Sequence, residues 1–360
     1  MPYETEYQVT RTPAPRLYVQ EAASSSKVQR NRALDFTKGA LVLIMVLYHW
    51  INYFIGPQWE YYEYLRFLTP SFIFITGFII SNVYLSKYAS GDPRLSKRLF
   101  TRGVKLMAIF LFLNAARTFV APVSSNGALV PDPLTARNIF TVFVSGNLPV
   151  SGGKLVAFPI LVPISYVLTI SAALMLPYKL CRYTFHILCV LLLFLIVVLG
   201  LIGARSYNLE LVTIGMLGVL TGFTPLATID RFARHPYTLA VGYLAYALAI
   251  TIWNVPFPLL VIGVILSLMV IYLVGAKSSG SGRITRGAIL LGKYSLFGYI
   301  SQIAILQILS GTFRHMNPGV AILAISLFAA FALTILSVEV VDCARTRRAS
   351  IDRLYKAVFA

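Results

Sequence analysis

The sequence predicts an all-α, polytopic membrane protein with about ten transmembrane helices and both termini in the cytoplasm. Three observations lead there. Charged residues make up 12% of the 360 positions, where a soluble chain carries about a quarter. Long stretches such as His186–Ala204 and Tyr237–Ala276 hold no charge at all, and each can cross a hydrocarbon core about 30 Å thick, the second one twice. Finally, lysine and arginine gather at alternate ends of the apolar runs, as orientation by the positive-inside rule requires.

Apolar runs read against turn and charge signals give ten spans in order. The first, 39–56, follows the charged stretch ending at Lys38 and stops before Gly56-Pro57. The next, 65–86, ends at Lys87, and 103–120 rises out of the basic stretch Lys97–Arg102 and stops before Pro122. Span 155–177 lies between Lys154 and Lys179; 183–204 lies between Arg182 and Arg205. Span 209–227 runs to the charges at 230 and 231. Spans 237–254 and 257–276 are divided by Asn254-Val-Pro256-Phe-Pro258, because two prolines so close cannot continue a helix. Span 285–311 follows the flexible basic link KSSGSGRI at 277–284, and 318–341 ends at the acidic residues Glu339 and Asp342.

Alternating these spans puts 25 of the 31 lysines and arginines on one side. The other six are Arg66, Arg117, Arg137, Lys154, Arg205 and Arg314. An odd number of spans would mix the two groups. The expected organisation is a mobile polar cytoplasmic tail over 1–32, a membrane domain over 33–343 and a basic cytoplasmic tail over 344–360. The tail at 1–32 lacks the apolar centre of a cleaved signal and is expected to be retained. The loop 121–154, rich in Pro, Ser, Asn and Gly, is the longest on the far side and is read as bordering an acceptor site.

The net charge of +18 follows topology and carries no nucleic-acid-binding pattern. Cys181, Cys189 and Cys343 form no CxxC framework, and the four histidines are scattered with no HExxH, so no metal is expected. KSSGSGRI is not a phosphate-binding GxxxxGK[ST] loop.

Chemistry concentrates in four stretches. In the first span, Arg32-x-x-Asp35-x-x-Lys38-Gly39 precedes His49. Lys38 and His49 lie eleven positions apart, about 20° around one helix face and about 16 Å along it. An interfacial charge cluster and a headgroup-level histidine beside Trp50 are the plain account of these residues. A histidine inside a span is nonetheless a functional candidate, because a polar ring in hydrocarbon is costly without partners. In the second stretch Arg66 enters from the outer side near the depth of His49, with Glu63 placed to pair with it, and Gly77 permits close helix approach. The third is Lys97, Arg98, Arg102 and Lys105, which topology explains and which would also suit an anionic ligand. Asn114 and Arg117 lie further along the same span. In the fourth, Leu291-Gly292-Lys293-Tyr294-Ser295-Leu296 leads to Tyr299, Ser301 and Gln302, polar groups that need hydrogen-bond partners inside a membrane. Glu339 and Asp342 are read as structural partners of loop cations.

Together these stretches resemble the transmembrane acyltransferases: the acyltransferase-3 family, the glucan succinyltransferases and the relatives of heparan-glucosaminide N-acetyltransferase. Arg32-x-x-Asp35-x-x-Lys38-Gly39 with His49 is similar to their first-helix signature. Phe72-Ile-Phe-Ile-Thr-Gly77 is similar to their second helix, Arg98–Lys105 to their basic third helix, and Leu291–Leu296 to their late Leu-Gly-Arg-x-Ser-Leu motif. The matches fall in family order over residues 32–302. Lys38 stands where arginine is usual, and Gln302 where many members carry histidine.

The resemblance implies acyl transfer, acetyl foremost, from a cytoplasmic acyl-coenzyme A to an extracytoplasmic glycan or related hydroxyl or amine acceptor, with no metal. His49 is then the expected general base, with Asp35 and Arg66 as further catalytic candidates. Arg32, Lys38, Arg98, Arg102, Lys105 and Lys293 are the expected donor-binding residues. The expected setting is the plasma (inner) membrane, with the lipid bilayer and the acceptor as partners and homo-oligomers allowed. Two other classes compete. A transporter of a glycan or lipid precursor would use the same polar groups, although no repeat pair with matched broken helices is visible. A non-catalytic scaffold would tolerate replacement of Asp35 and His49.

Overall fold

A computed structural model describes residues 31–56, 63–85, 88, 92–120, 136–146, 156–178, 181, 183–233, 235–253, 256–278, 282–313 and 319–359. Nearly all of the tail read over 1–32, the parts of the 121–154 loop at 121–135 and 147–154, and residues 279–281 of the basic link lie outside them. The rest belongs to one compact unit, Arg32–Ala360, and among the described residues it is helical without strands. Seven helices are long and apolar enough to cross a membrane, or eight if one bent pair counts as a span. This is a multi-pass membrane protein.

In chain order the helices are α1 (Arg32–Phe54), α2 (Leu68–Ile79, continued as a π-helix over Ile80–Leu85), α3 (Pro93–Val120) and the short α4 (Ala136–Phe140). There follow α5 (Leu161–Tyr178), α6 (Thr184–Leu201), α7 (Tyr207–Thr221) and α8 (Leu226–Ala233). Then come α9 (Pro236–Ile252), α10 (Phe257–Lys277), α11 (Arg283–Lys293), α12 (Ser295–Phe313), α13 (Val320–Arg347) and α14 (Ala349–Phe359).

Each expected span meets a helix, with two corrections of shape. The run 209–227 is broken: α7 stops at Thr221 and the chain bends by 101° into α8. The run 285–311 is two helices, because α11 ends at Tyr294 (φ −114°, ψ 30°) before α12 begins. The helices over 161–175 and 236–252 are apolar but short. Local signals set the ends. Ser206 caps α7 by accepting from the Leu209 N–H at 3.2 Å, and prolines start α9 and α10, where a missing N–H costs nothing.

In lipid, tails are as apolar as leucine, so close packing of small residues holds helices together. Gly39 and Gly292 form the tightest such contact: a methyl group on Gly39 would overlap the Ala288 carbonyl and lie 2.9 Å from the Gly292 nitrogen. One on Gly292 would overlap the Asp35 carbonyl. Thus α11 lies flat on the first half of α1. Between α2 and α7 the small residues are Gly77, Gly215, Gly218 and Gly222; a methyl group on Gly77 would strike the Gly215 carbonyl, and one on Gly218 that of Phe74. The α3–α5 pair adds hydrogen bonds from Ser165 to the Gly103 carbonyl (2.8 Å) and from Ser96 to that of Ala172 (2.7 Å).

Residues 344–360, read as a tail, contain the last turn of α13 and the amphipathic α14. Asp352 binds Arg345 (2.6 Å) and Lys356 (2.5 Å). Its hydrogen bonds with Lys356 and then Arg345 hold its carboxyl below the usual carboxylate range.

Candidate functional site

His49 lies seventeen positions into α1, about 26 Å from Arg32 along the axis. It lines a cavity of about 290 Å³ at the end of the bundle away from Asp35. Its Nε2 atom is buried, and its ring meets that of Tyr48 edge-on at 5.2 Å. The remaining wall comes from distant parts of the chain: Met45 and Tyr53 of α1, Tyr207 and Asn208 at the start of α7, and Tyr299, Ile303 and Gln307 along one face of α12. Val142 and Gly146 also line it, so the described part of the 121–154 loop does border the cavity. Asn208 holds this segment in place by donating to the Val142 carbonyl at 2.8 Å. Gly146, at φ 66°, sits so close to the Asn208 amide that a side chain there would be both strained and obstructed.

The non-helical stretch Val156–Ile160 forms another wall. Phe158 has φ 56° and is followed by Pro159. A left-handed phenylalanine is strained, by about 1–3 kcal/mol, and such a residue persists only where its surroundings dictate it. Asn114 of α3 provides that restraint. Its Oδ1 accepts from the Ala157 N–H at 2.7 Å, and its Nδ2 donates to the Ala157 carbonyl at 3.0 Å and to that of Phe110 at 2.9 Å. The Phe158 ring then meets Tyr299 edge-on at 5.7 Å. Asn114→Ala is expected to lower stability by about 1 kcal/mol, because it leaves the partly buried amide and carbonyl of Ala157 without this partner. The unfolding midpoint in detergent measures this, and Asn114→Asp, which keeps the acceptor and loses the donor, should fall between.

The other candidates divide into three places. Arg66 is exposed and outside the cavity wall, yet near enough for its charge to act on the wall residues Tyr48 and Tyr207. It makes no side-chain ion pair with Glu63; the Arg66 N–H bonds the Glu63 carbonyl instead, at 3.4 Å. At the opposite end, Asp35 is buried and pairs with Lys38 at 2.7 Å, while Arg32 is exposed. Lys293, brought beside them by α11, pairs with Asp342 at 2.8 Å. Burial opposes the charge on Lys293, but its hydrogen bond to Asp342 prevails and its pKa is raised. Tyr294 also donates to Asp342, which gives that acid the structural role expected of it.

The third place is the α3 entrance. Arg98 and Arg102 both stack on Tyr84, with their guanidinium carbons 5.4 and 5.5 Å from the ring centre. Arg102 also donates to the Tyr84 hydroxyl, Arg98 to that of Tyr88 at 2.9 Å, and Lys105 to the Lys356 carbonyl at 3.4 Å.

Among the described residues, the cavity wall includes none of the expected donor-binding cations. It reaches inward to Met45, seven positions short of Lys38, or about 10 Å. Leu41, Val42 and Leu291, all fully buried, fill that layer. The inner cations and His49 are therefore two sites on one helix, separated by packed side chains. Tyr48, Tyr207, Asn208 and Phe158 of the cavity carried no signal in the sequence, whereas Tyr299 and Asn114 stood out as polar groups within spans. No protein-family model, curated protein or solved structure matches this chain.

Proposed function

We propose that the protein is a membrane acyltransferase that carries an acyl group, acetyl foremost, from cytoplasmic acyl-coenzyme A to a hydroxyl or amine of an extracytoplasmic glycan or related acceptor. The observation that carries this reading is the largely apolar cavity with an imidazole and tyrosine side chains in its wall, on a helix whose other end bears an ion pair. The acceptor occupies the cavity, and His49 takes its proton as the acceptor oxygen or nitrogen attacks the thioester carbonyl. The tetrahedral oxyanion needs donors. Tyr48, Tyr207 and Tyr299 share the wall with His49 and offer hydroxyls, while Arg66 acts from farther out. When the C–S bond breaks, the imidazolium returns the proton to the departing coenzyme A thiolate.

In this reading the eight spans are completed by the short helices over 161–175 and 236–252 to give ten. Both termini are then cytoplasmic, which the placement of 25 of 31 cations supports, and the plasma membrane is the setting. The coenzyme head lies among Lys38, Lys293 and the α3 cations. Its arm passes outward only when the layer of Leu41, Val42 and Leu291 parts. That same layer is what favours a second reading, a carrier of a glycan or lipid precursor caught closed on one side.

The two readings separate in vesicles holding the purified protein. An acyltransferase releases coenzyme A thiol in proportion to acceptor supplied on the opposite face. A carrier moves labelled precursor across without any acyl donor, and that result would replace the enzymatic reading.

A further inference from the structure

The helix α14 begins two residues after α13, itself long enough to cross a membrane, and docks where α12 starts. The Tyr355 ring meets Tyr294 at 5.3 Å, and Phe359 meets Phe297 at 5.8 Å. The helix therefore lies at the border of the bilayer, beside the ends of two spanning helices. At 100° per residue, its apolar side chains Leu354, Val358, Ile351, Tyr355 and Phe359 cover an arc of about 140°. The protein covers only one edge of this arc, that of Tyr355 and Phe359. At the other edge Leu354 and Val358 are 66% and 37% exposed.

The charges divide in the same way. Arg345 and Lys356 are bound to Asp352. Arg347, Arg348 and Arg353 are exposed, and among the described residues none has a carboxylate within 4.0 Å. An uncovered apolar edge flanked by unneutralised guanidinium groups, at the depth of the headgroups, is complementary to an anionic lipid surface. A cytosolic acidic partner would satisfy the arginines and leave Leu354 in water.

We propose that Ala349–Phe359 is an interfacial helix that recognises anionic lipid: Leu354 and Val358 enter the boundary between headgroups and acyl chains, and Arg347, Arg348 and Arg353 bind lipid phosphates. Lipid thereby holds the helix on the cap formed by Tyr294 and Asp342. This does not depend on the acyl-transfer reading.

Hydrogen exchange of the full-length protein tests it, in nanodiscs of phosphatidylcholine alone or with added phosphatidylglycerol. Exchange over 349–359 is expected to slow several-fold when the anionic lipid is present, and raised salt should reverse the slowing. Leu354→Glu combined with Val358→Glu should abolish the response while leaving exchange in phosphatidylcholine unchanged, because Tyr355 and Phe359 keep the helix docked. Arg347→Gln, Arg348→Gln and Arg353→Gln together should reduce it, with exchange of α1 as the folding control for each variant. Equal exchange in the two lipids would overturn the proposal. So would a slowing that appears only with two protein copies per disc, which would assign the edge to a second copy of the chain.

Discussion

Replacing His49 with alanine is expected to lower kcat for acyl transfer roughly 100- to 10,000-fold, the usual contribution of a positioned general base. The KM for the acceptor should change little, because a proton acceptor acts mainly in the transition state. The fold should survive: His49 already borders a cavity of about 290 Å³, so deleting its ring enlarges an existing space and opens none in packed core. Single-turnover release of coenzyme A thiol, wild type against variant at equal protein with matched gel-filtration profiles, measures the effect. Undiminished turnover would remove His49 from the mechanism. His49→Gln is the sharper companion, since it keeps a polar side chain of similar reach and cannot serve as a base.

Gly39→Ala is expected to cause a large loss of stability for a single added methyl group. Overpacking costs about 1–3 kcal/mol where neighbours can adjust, and here the obstacle is the Ala288 carbonyl, backbone within a helix. Gly292→Ala meets the Asp35 carbonyl in the same seam. Once either variant has pushed α1 and α11 apart the other has less to displace, so the double variant should lose less than the sum of the two. Gly311→Ala is the control, because nothing lies within 4 Å of the added carbon, and it should be neutral or slightly stabilising. Unfolding midpoints in detergent compare all four proteins. A Gly39→Ala midpoint matching that of Gly311→Ala would show that the seam yields freely.

What the sequence made legible was whatever the hydrocarbon solvent dictates. Every spanning segment must satisfy its own backbone, so apolar length, bounded by charges and prolines, located the spanning helices. The break at Tyr294 was hidden because the apolar pattern runs from Ile289 through Ile300 with only Lys293 charged, and nothing local reveals that α11 lies on the first half of α1 while α12, as a separate helix, packs along its second half. His49 was legible because an imidazole inside a span is unusual. Its neighbours were not: Tyr207 and Asn208 look like an ordinary helix start, and reach the cavity only because the glycine seam fixes α7 against α2. The strained backbone of Phe158 leaves no trace in residue types, although Asn114, which restrains it, was visible as an amide within a span. The spacing of Asp35 and Lys38 already made them an ion pair in the sequence, whereas Asp342 became assignable as the partner of Lys293 only with the helices placed.

The seam between Gly39 and Gly292 also bears on how the chain is made. Its two glycines are 253 positions apart, so at ordinary translation speeds α1 leaves the ribosome roughly 10–50 seconds before its partner exists. During that interval α1 must reside in the lipid without the surface it is shaped to fit. The ion pair between Asp35 and Lys38 lies one turn apart within α1 itself, so it forms without waiting for α11. The helix can thus be delivered to the bilayer with those charges already cancelled, and the bare surface at Gly39 is kept for the neighbour synthesised near the end of the chain.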